Sequence, residues 1–244
     1  MKVLGIIPSR YNSSRFPGKP LAKIFGKSMI KLVYENAKKC VDLLDLVVAT
    51  DDERISFHVK SFGGKVMMTS NDHINGTERC AEAWRNIDDH FDVIINIQGD
   101  QPLLNPNQIS EIIKIFENNP EVKIASLAKK IECVNEYKNE NVVKVILNEE
   151  NYANSFYRKP NISISEFENH IIYKHIGLYG FKSEIIEEIA KLPYSNNEDN
   201  LNLEQIRWMK NNYKIKIGKS KYSSHSVDRV EDITSIIELM SKNV

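Results

Sequence analysis

Three cations stand close together near the start of the chain, and two carboxylates that could answer them lie far downstream. Arg10, Arg15 and Lys19 fall in Val3 to Leu21, VLGIIPSRYNSSRFPGKPL, among Ser9, Ser13, Ser14 and Gly18. The apolar run Val3 to Ile7 stops at Pro8, so the segment reads as a buried strand entering a basic, tightly turned loop. Cations and backbone N–H groups gathered at the carboxyl end of a strand suit a phosphate. Pro17, Gly18 and Pro20 stiffen the backbone around Lys19, which a solvated lysine does not need. A merely solvated loop is the competing reading. Asp100 follows the run Val93 to Ile97 through Gly99. A carboxylate fixed there suits Mg²⁺, which takes hard oxygens and one or two protein carboxylates beside substrate phosphates. Asp228, in Ser226-Val227-Asp228, is the candidate second ligand, and a turn or helix-capping aspartate is the alternative for Asp100. No GxGxxG follows the first strand and no GxxxxGK[ST] occurs, which excludes the dinucleotide fingerprint and the Walker loop.

The elements that must carry these residues alternate. Helical spacing covers Met29 to Cys40, Glu53 to Phe62, Glu78 to Ile87 and Gln108 to Asn118. Short apolar runs at Leu46 to Ala49, Lys65 to Met68, Phe91 to Ile97 and Lys123 to Leu127 read as buried strands. Such alternation predicts an α/β fold whose mostly parallel sheet is covered by helices on both faces. After about Glu132 strand-like pieces follow one another: Val142 to Leu147, Tyr152 to Tyr157 and Ile176 to Phe181. They suggest an antiparallel insertion or arm. Helices at Ser183 to Lys191 and Leu203 to Asn211, a strand at Tyr213 to Ile217 and a last helix from about Glu231 restore the rhythm. Three stretches result: an α/β core at 1–130, a strand-rich region at 131–200 and a return to the core at 201–244, within one compact domain. Ligands of open parallel sheets sit beyond the carboxyl ends of the strands. The cations, Asp51 and Asp52, Thr69 to Arg79, and Gln98 with Asp100 all fall there.

The 244 residues can bury a sizeable core, and 41% hydrophobic with 27% charged residues is ordinary for a soluble globular chain. The formal net charge of +0 argues against a broad nucleic-acid surface, though not against one local basic pocket. No apolar run reaches membrane-span length. Cys40, Cys80 and Cys133 form neither a disulfide framework nor a zinc spacing, which makes a reducing cytoplasm the expected location. Trp84, Trp208, Tyr34 and Cys80 read as core, and Asp51-Asp52-Glu53 as a helix cap.

IIPSRYNSSRFPGKPL, Gly76-Thr77-Glu78-Arg79, INIQGDQP (Ile95 to Pro102), KHIGLYGF (Lys174 to Phe181), LEQIR (Leu203 to Arg207) and SVDRVEDI (Ser226 to Ile233) follow in order. In these segments the chain resembles the 3-deoxy-manno-octulosonate (Kdo) cytidylyltransferases nearly end to end. The resemblance implies a Rossmann-like nucleotidyltransferase sheet with a smaller sugar-binding and dimerising region, and a homodimer. It implies that Arg10, Arg15 and Lys19 hold the phosphates of CTP. Thr77, Arg79 and Gln98 would lie around the nucleotide, with Pro8 and Thr69, Ser70 and Asn71 reading the cytosine. Asp100 and Asp228 would bind Mg²⁺, and Gln98, Arg158, His175, Tyr179, Glu204 and Gln205 would face the sugar acid. Lys19, Arg10, Asp100 and Asp228 would be the catalytic set.

The implied reaction is attack of the anomeric 2-hydroxyl on the α-phosphate of CTP, giving a CMP-sugar for lipopolysaccharide synthesis and pyrophosphate. Three stretches depart from the family pattern. Lys159-Pro160-Asn161-Ile162 stands where an Ile-Pro pair is usual, and Leu201 where an acidic residue is common. The VDTPED pattern reads Val227-Asp228-Arg229-Val230-Glu231-Asp232. Two of these lie in the sugar-facing half, which leaves 8-amino-Kdo or another 2-keto-3-deoxy sugar acid such as a nonulosonate open as acceptor. A non-catalytic nucleotide-sugar binding protein is the reading from another class.

Overall fold

The computed structural model describes residues 1–167, 169–194 and 203–241. Val3–Ser9 forms β1, apolar on both faces because it lies inside the sheet. The loop after it winds through a short 3₁₀ turn, Lys19–Leu21, into a hairpin of β2 (Lys23–Ile24) and β3 (Lys27–Ser28) that sequence periodicity does not disclose. Helix α1 (Met29–Ala37) follows, capped by Ser28. Then come β4 (Asp45–Thr50), α2 (Glu53–Ser61), β5 (Val66–Met68), α3 (Gly76–Arg85), β6 (Val93–Asn96), α4 (Pro106–Asn118) and β7 (Ile124–Lys130). The expected cap is present: Asp52 accepts the Arg54 N–H at 2.9 Å and starts α2. Asn75 caps α3, and Asn105 with Gln108 forms a capping box ahead of Pro106 on α4.

The second half holds α5 (Val134–Lys138), β8 (Lys144–Leu147), β9 (Ala153–Tyr157), α6 (Ile164–Phe167) and β10 (Tyr173–Lys182). Helices α7 (Ile186–Ala190) and α8 (Gln205–Lys210), strand β11 (Ile215–Lys219) and helix α9 (Asp232–Ser241) complete it. The sheet order is β11-β7-β10-β6-β1-β4-β5, with β8 and β9 joined to it through β10. β1 runs parallel to β4 and β6, and β10 runs antiparallel between β6 and β7. The strand-rich stretch is therefore not wholly an arm: its longest strand is central to the sheet. Leu201, one of the departures from the family pattern, lies outside the described residues.

Apolar clusters cover both faces. Ile7, Val33, Ile95 and Ile112 belong to one, and Leu4, Ile6, Phe181 and Trp208 to the other. A smaller cluster of Ile24, Met29, Leu32, Val227 and Ile236 binds α9 to the hairpin and α1. Fully burying a side chain such as Val227 is worth about 1.5–3 kcal/mol, and here it fixes the residue that precedes Asp228. Tyr34, Trp208 and Cys80 are core as expected, while Trp84 is partly buried and packs edge-on to Phe91. Burial pushes the Cys80 thiol well up, so it stays protonated.

Candidate active site

Two cavities open at the carboxyl end of β1 and β6. The smaller, of about 230 Å³, is lined by Pro8, Arg10, Lys19, Arg79 and the stretch His73 to Gly76. The larger, of about 500 Å³, is lined by His175, Tyr179, Glu204, Gln205 and Lys174 among others. Arg15, Gln98, Asp100 and Asp228 line both. Residues separated by more than two hundred positions thus meet at one junction.

The loop after β1 is braced. Gly18 sits at φ +72°, a left-handed conformation that favours glycine, and its N–H donates to the Tyr11 carbonyl at 2.9 Å. The Arg54 guanidinium lies 3.3 Å from the centre of the Tyr11 ring and is itself held by Asp52. Gly99 allows close approach of β6 to β1: a Cβ there would come within 2.9 Å of the Pro8 carbonyl oxygen.

At the junction, each carboxylate faces a cation. Lys19 Nζ donates to Asp100 at 2.8 Å and to the Val227 carbonyl at 2.9 Å. The Val227 N–H donates to the Asp100 carbonyl at 2.9 Å, so the two aspartate segments are sewn together. Arg15 donates to Asp228 at 2.8 Å. Lys19 and Asp100 are mostly covered, whereas Arg15 and Asp228 are about half exposed. Asp228 is held by the start of α9, where Asp232 accepts its N–H at 2.8 Å. Two carboxylates beside a cavity lined by cations are the donor chemistry Mg²⁺ takes when phosphates complete its shell. Among the described residues no cluster of three or more metal-ligating side chains occurs.

Several residues expected around a nucleotide are held within the chain beside the smaller cavity. Arg79 is 2% exposed and donates to Thr69 Oγ1 at 2.6 Å, the Ser70 carbonyl at 3.1 Å and Asp51 at 2.9 Å. Thr77 is fully buried and accepts from Asn96, whose Oδ1 in turn accepts from Gln98. Thr69, Ser70 and Asn71 do not line the cavity, whereas His73, Ile74 and Asn75 form part of its wall. Glu82 and Glu78 on α3 hold that segment: Glu82 accepts the Ser70 N–H at 2.9 Å and contacts His73 Nε2, and Glu78 accepts the Ile74 N–H at 3.1 Å. The capping signature Asn75-Gly76-Thr77-Glu78 was the available signal for these residues.

On the larger cavity, the register of β10 against β7 shifts between Ile176 and Tyr179. Such irregularities re-aim side chains beside a site. Ser126 bridges the shift, giving its single hydrogen to the carbonyl of Leu178 at 2.9 Å or of Ile176 at 3.1 Å. It therefore accepts from His175 Nε2, 2.9 Å away. Burial takes the His175 pKa from 6.5 down to about 3, so the ring is neutral at neutral pH. Gln205 is 2% exposed and its Nε2 makes no hydrogen bond among the described residues. Arg158 points its guanidinium at the carbonyls of Glu140 (3.4 Å) and Asn141 (3.2 Å), and burial lowers its pKa. It does not line the cavity itself. Lys144 is fully buried and donates to the carbonyls of Asn139 at 2.7 Å and Arg158 at 2.5 Å. Sequence patterning hid Lys144, which sits in a strand-like run.

The cytidylyltransferase family model matches residues 4–217. A 3-deoxy-manno-octulosonate cytidylyltransferase of Parabacteroides distasonis is 44% identical over 252 residues, covering 99% of each chain. An 8-amino-3,8-dideoxy-manno-octulosonate cytidylyltransferase of a Shewanella species is 43% identical over 237 residues, covering 96% of each. The solved structure of CMP:2-keto-3-deoxy-manno-octonic acid synthetase complexed with CTP superposes with a TM-score of 0.92 at 33% identity, covering 100% of both chains.

Proposed function

This chain belongs to the cytidylyltransferase family, and from that premise we propose that it transfers CMP from CTP to the anomeric 2-hydroxyl of Kdo. The observation that carries this reading is the junction: four residues, Arg15, Gln98, Asp100 and Asp228, line both cavities. A reaction joining two substrates needs such a shared wall.

CTP occupies the smaller cavity, with its phosphates on Arg10, Arg15 and Lys19, and the sugar acid fills the larger. The hydroxyl oxygen bonds to the α-phosphorus, the bond from that phosphorus to the bridging oxygen breaks, and pyrophosphate leaves. The hydroxyl proton passes to solvent. Asp100 and Asp228 would hold Mg²⁺, which when bound neutralises phosphate charge and acidifies a nearby hydroxyl. Lys19 and Arg15, now paired with those carboxylates, turn to the phosphates as substrate enters, so the site exchanges one set of charge partners for another. His175 is a binding residue rather than a base, because its Nε2–H is committed to Ser126 and its ring resists protonation. Tyr179, Glu204 and Gln205 complete the sugar wall. We also propose that the protein works as a homodimer and that 131–200 carries the sugar-binding and dimer-forming surfaces.

The Shewanella relative at 43% identity supports 8-amino-Kdo as the second acceptor to try. The test is a pyrophosphate-release assay with CTP and Mg²⁺ across Kdo, 8-amino-Kdo and a nonulosonic acid. The highest kcat/KM with Kdo is expected. A preference of tenfold or more for another acid (about 1.4 kcal/mol) would move the assignment to that acid, and release with none of them would refute the transfer.

A further inference from the structure

Helix α3 presents three charged side chains, four or fewer residues apart, to the loop that leads into it. Arg79 and Glu82 grip Thr69, Ser70 and His73, and Glu78 grips Ile74 and Asn75. Arg79 and Glu78 belong to a segment already read as functional. Glu82 does not, and it is the one that reaches both ends of the turn: the Ser70 N–H at 2.9 Å on the strand side and His73 on the cavity side.

We propose that Glu82 is a positioning residue for base recognition: it locks His73 and Ser70 so that His73 to Asn75 keep one arrangement as the base-end wall of the nucleotide cavity. Glu82 lies outside the cavity lining, so it acts through His73 rather than by touching the nucleotide. His73 is the lining residue it controls, and Ile74, 56% exposed and lining the same cavity, is the apolar face that the lock turns toward the ligand. The direction of the electrostatics agrees. Burial works to raise the Glu82 carboxyl, yet the Ser70 N–H and His73 outweigh it and leave the pKa lowered, so the group is a charged acceptor.

The consequence is selectivity. Cytosine and uracil have nearly the same shape and differ in where they donate and accept hydrogen bonds. Only a wall with fixed backbone polarity rejects the wrong pattern strongly, because rejection comes from leaving polar groups unpaired. A wall that can re-orient would accept both. This inference rests on the reading that the smaller cavity takes CTP.

The experiment compares wild type, Glu82→Gln and His73→Gln. Calorimetry measures Mg²⁺–CTP and Mg²⁺–UTP binding, and steady-state assays measure KM for each substrate. Glu82→Gln keeps the side-chain length and one acceptor oxygen, and its melting temperature checks that it folds. Expected is a rise of about tenfold in the CTP dissociation constant, as for loss of a hydrogen bond to a charged group. The CTP-over-UTP preference falls by a similar factor, KM for the sugar acid is unchanged, and the combined Glu82→Gln/His73→Gln variant is no worse than either alone. Glu82→Gln with wild-type affinity and selectivity would overturn the role of Glu82, as would equal losses for CTP, UTP and the sugar acid. Wild-type protein that binds no CTP would instead refute the nucleotide reading itself.

Discussion

Around the smaller cavity the functional groups stand on loops beyond parallel strands, partly open to water, and they are tied mainly by charge to one another. Around the larger cavity they stand on strands and short helices, His175 and Tyr179 almost wholly covered, and they are tied by packing and backbone carbonyls. Tyr179 packs against His175, Phe181 and Trp208 at ring separations of 5.3, 6.1 and 4.9 Å. The difference follows from what each side must recognise. On the proposed function, a triphosphate is met by cations that can change partners as it arrives. On the same proposal the sugar acid, a polyol with one carboxylate, is met by hydrogen-bonding groups fixed by packing, beside charged residues such as Arg15, Lys174 and Glu204 that line the same cavity.

That contrast can be broken most severely at the junction. Asp100→Asn is expected to lower kcat by about a thousandfold while leaving the fold intact, the scale of removing a key electrostatic group. A loss below tenfold in a pyrophosphate assay would remove Asp100 from the machinery. Lys19→Met should cost about a hundredfold in kcat/KM for CTP and little in KM for the sugar acid. An effect on the sugar alone would assign Lys19 to the other side.

Lys144→Met tests the opposite side. It frees the carbonyls of Asn139 and Arg158 behind the wall of the larger cavity. Roughly a tenfold rise in KM for the sugar acid is expected, equivalent to one hydrogen bond to a charged group, with KM for CTP unchanged. The smallest effect on activity is at His175. Its folded pKa of about 3 lies below the ordinary 6.5, so the unfolded chain takes up the proton first as pH falls. The stability from this group is present above pH 6.5 and drains away as pH falls toward 3. His175→Gln should flatten that part of the melting-temperature profile, whereas the pH profile of kcat/KM near neutrality stays as in wild type. A His175-dependent inflection near pH 6.5 would make it an acid–base group.

The same contrast governs what the sequence discloses. Charged residues beside prolines and glycines after apolar runs stand out, so Arg10, Arg15, Lys19 and Asp100 were legible before any fold was known. The alternating strands and helices were legible too, because buried parallel strands are near-continuous apolar runs. The central place of β10 was not. Its pairing with β6 and β7 is long-range, and nothing within Tyr173–Lys182 says which strands it will join. Nor was the work of Lys144 or Glu82 visible, since a buried lysine and a helical glutamate turned to a neighbouring loop have the same letters as their solvent-facing counterparts. Arg79 shows the intermediate case. Its segment was recognisable, but only the structure reveals that its guanidinium is directed inward to Thr69 and Asp51.

The central claim is that the two cavities hold two substrates that react across Asp100 and Asp228. Mass spectrometry of a mixture of protein, CTP, Kdo and Mg²⁺ tests it most directly. Equal amounts of a CMP-sugar and pyrophosphate are predicted, with neither formed when Kdo is omitted. Release of free CMP with pyrophosphate, or of CDP with phosphate, and no CMP-sugar would contradict it.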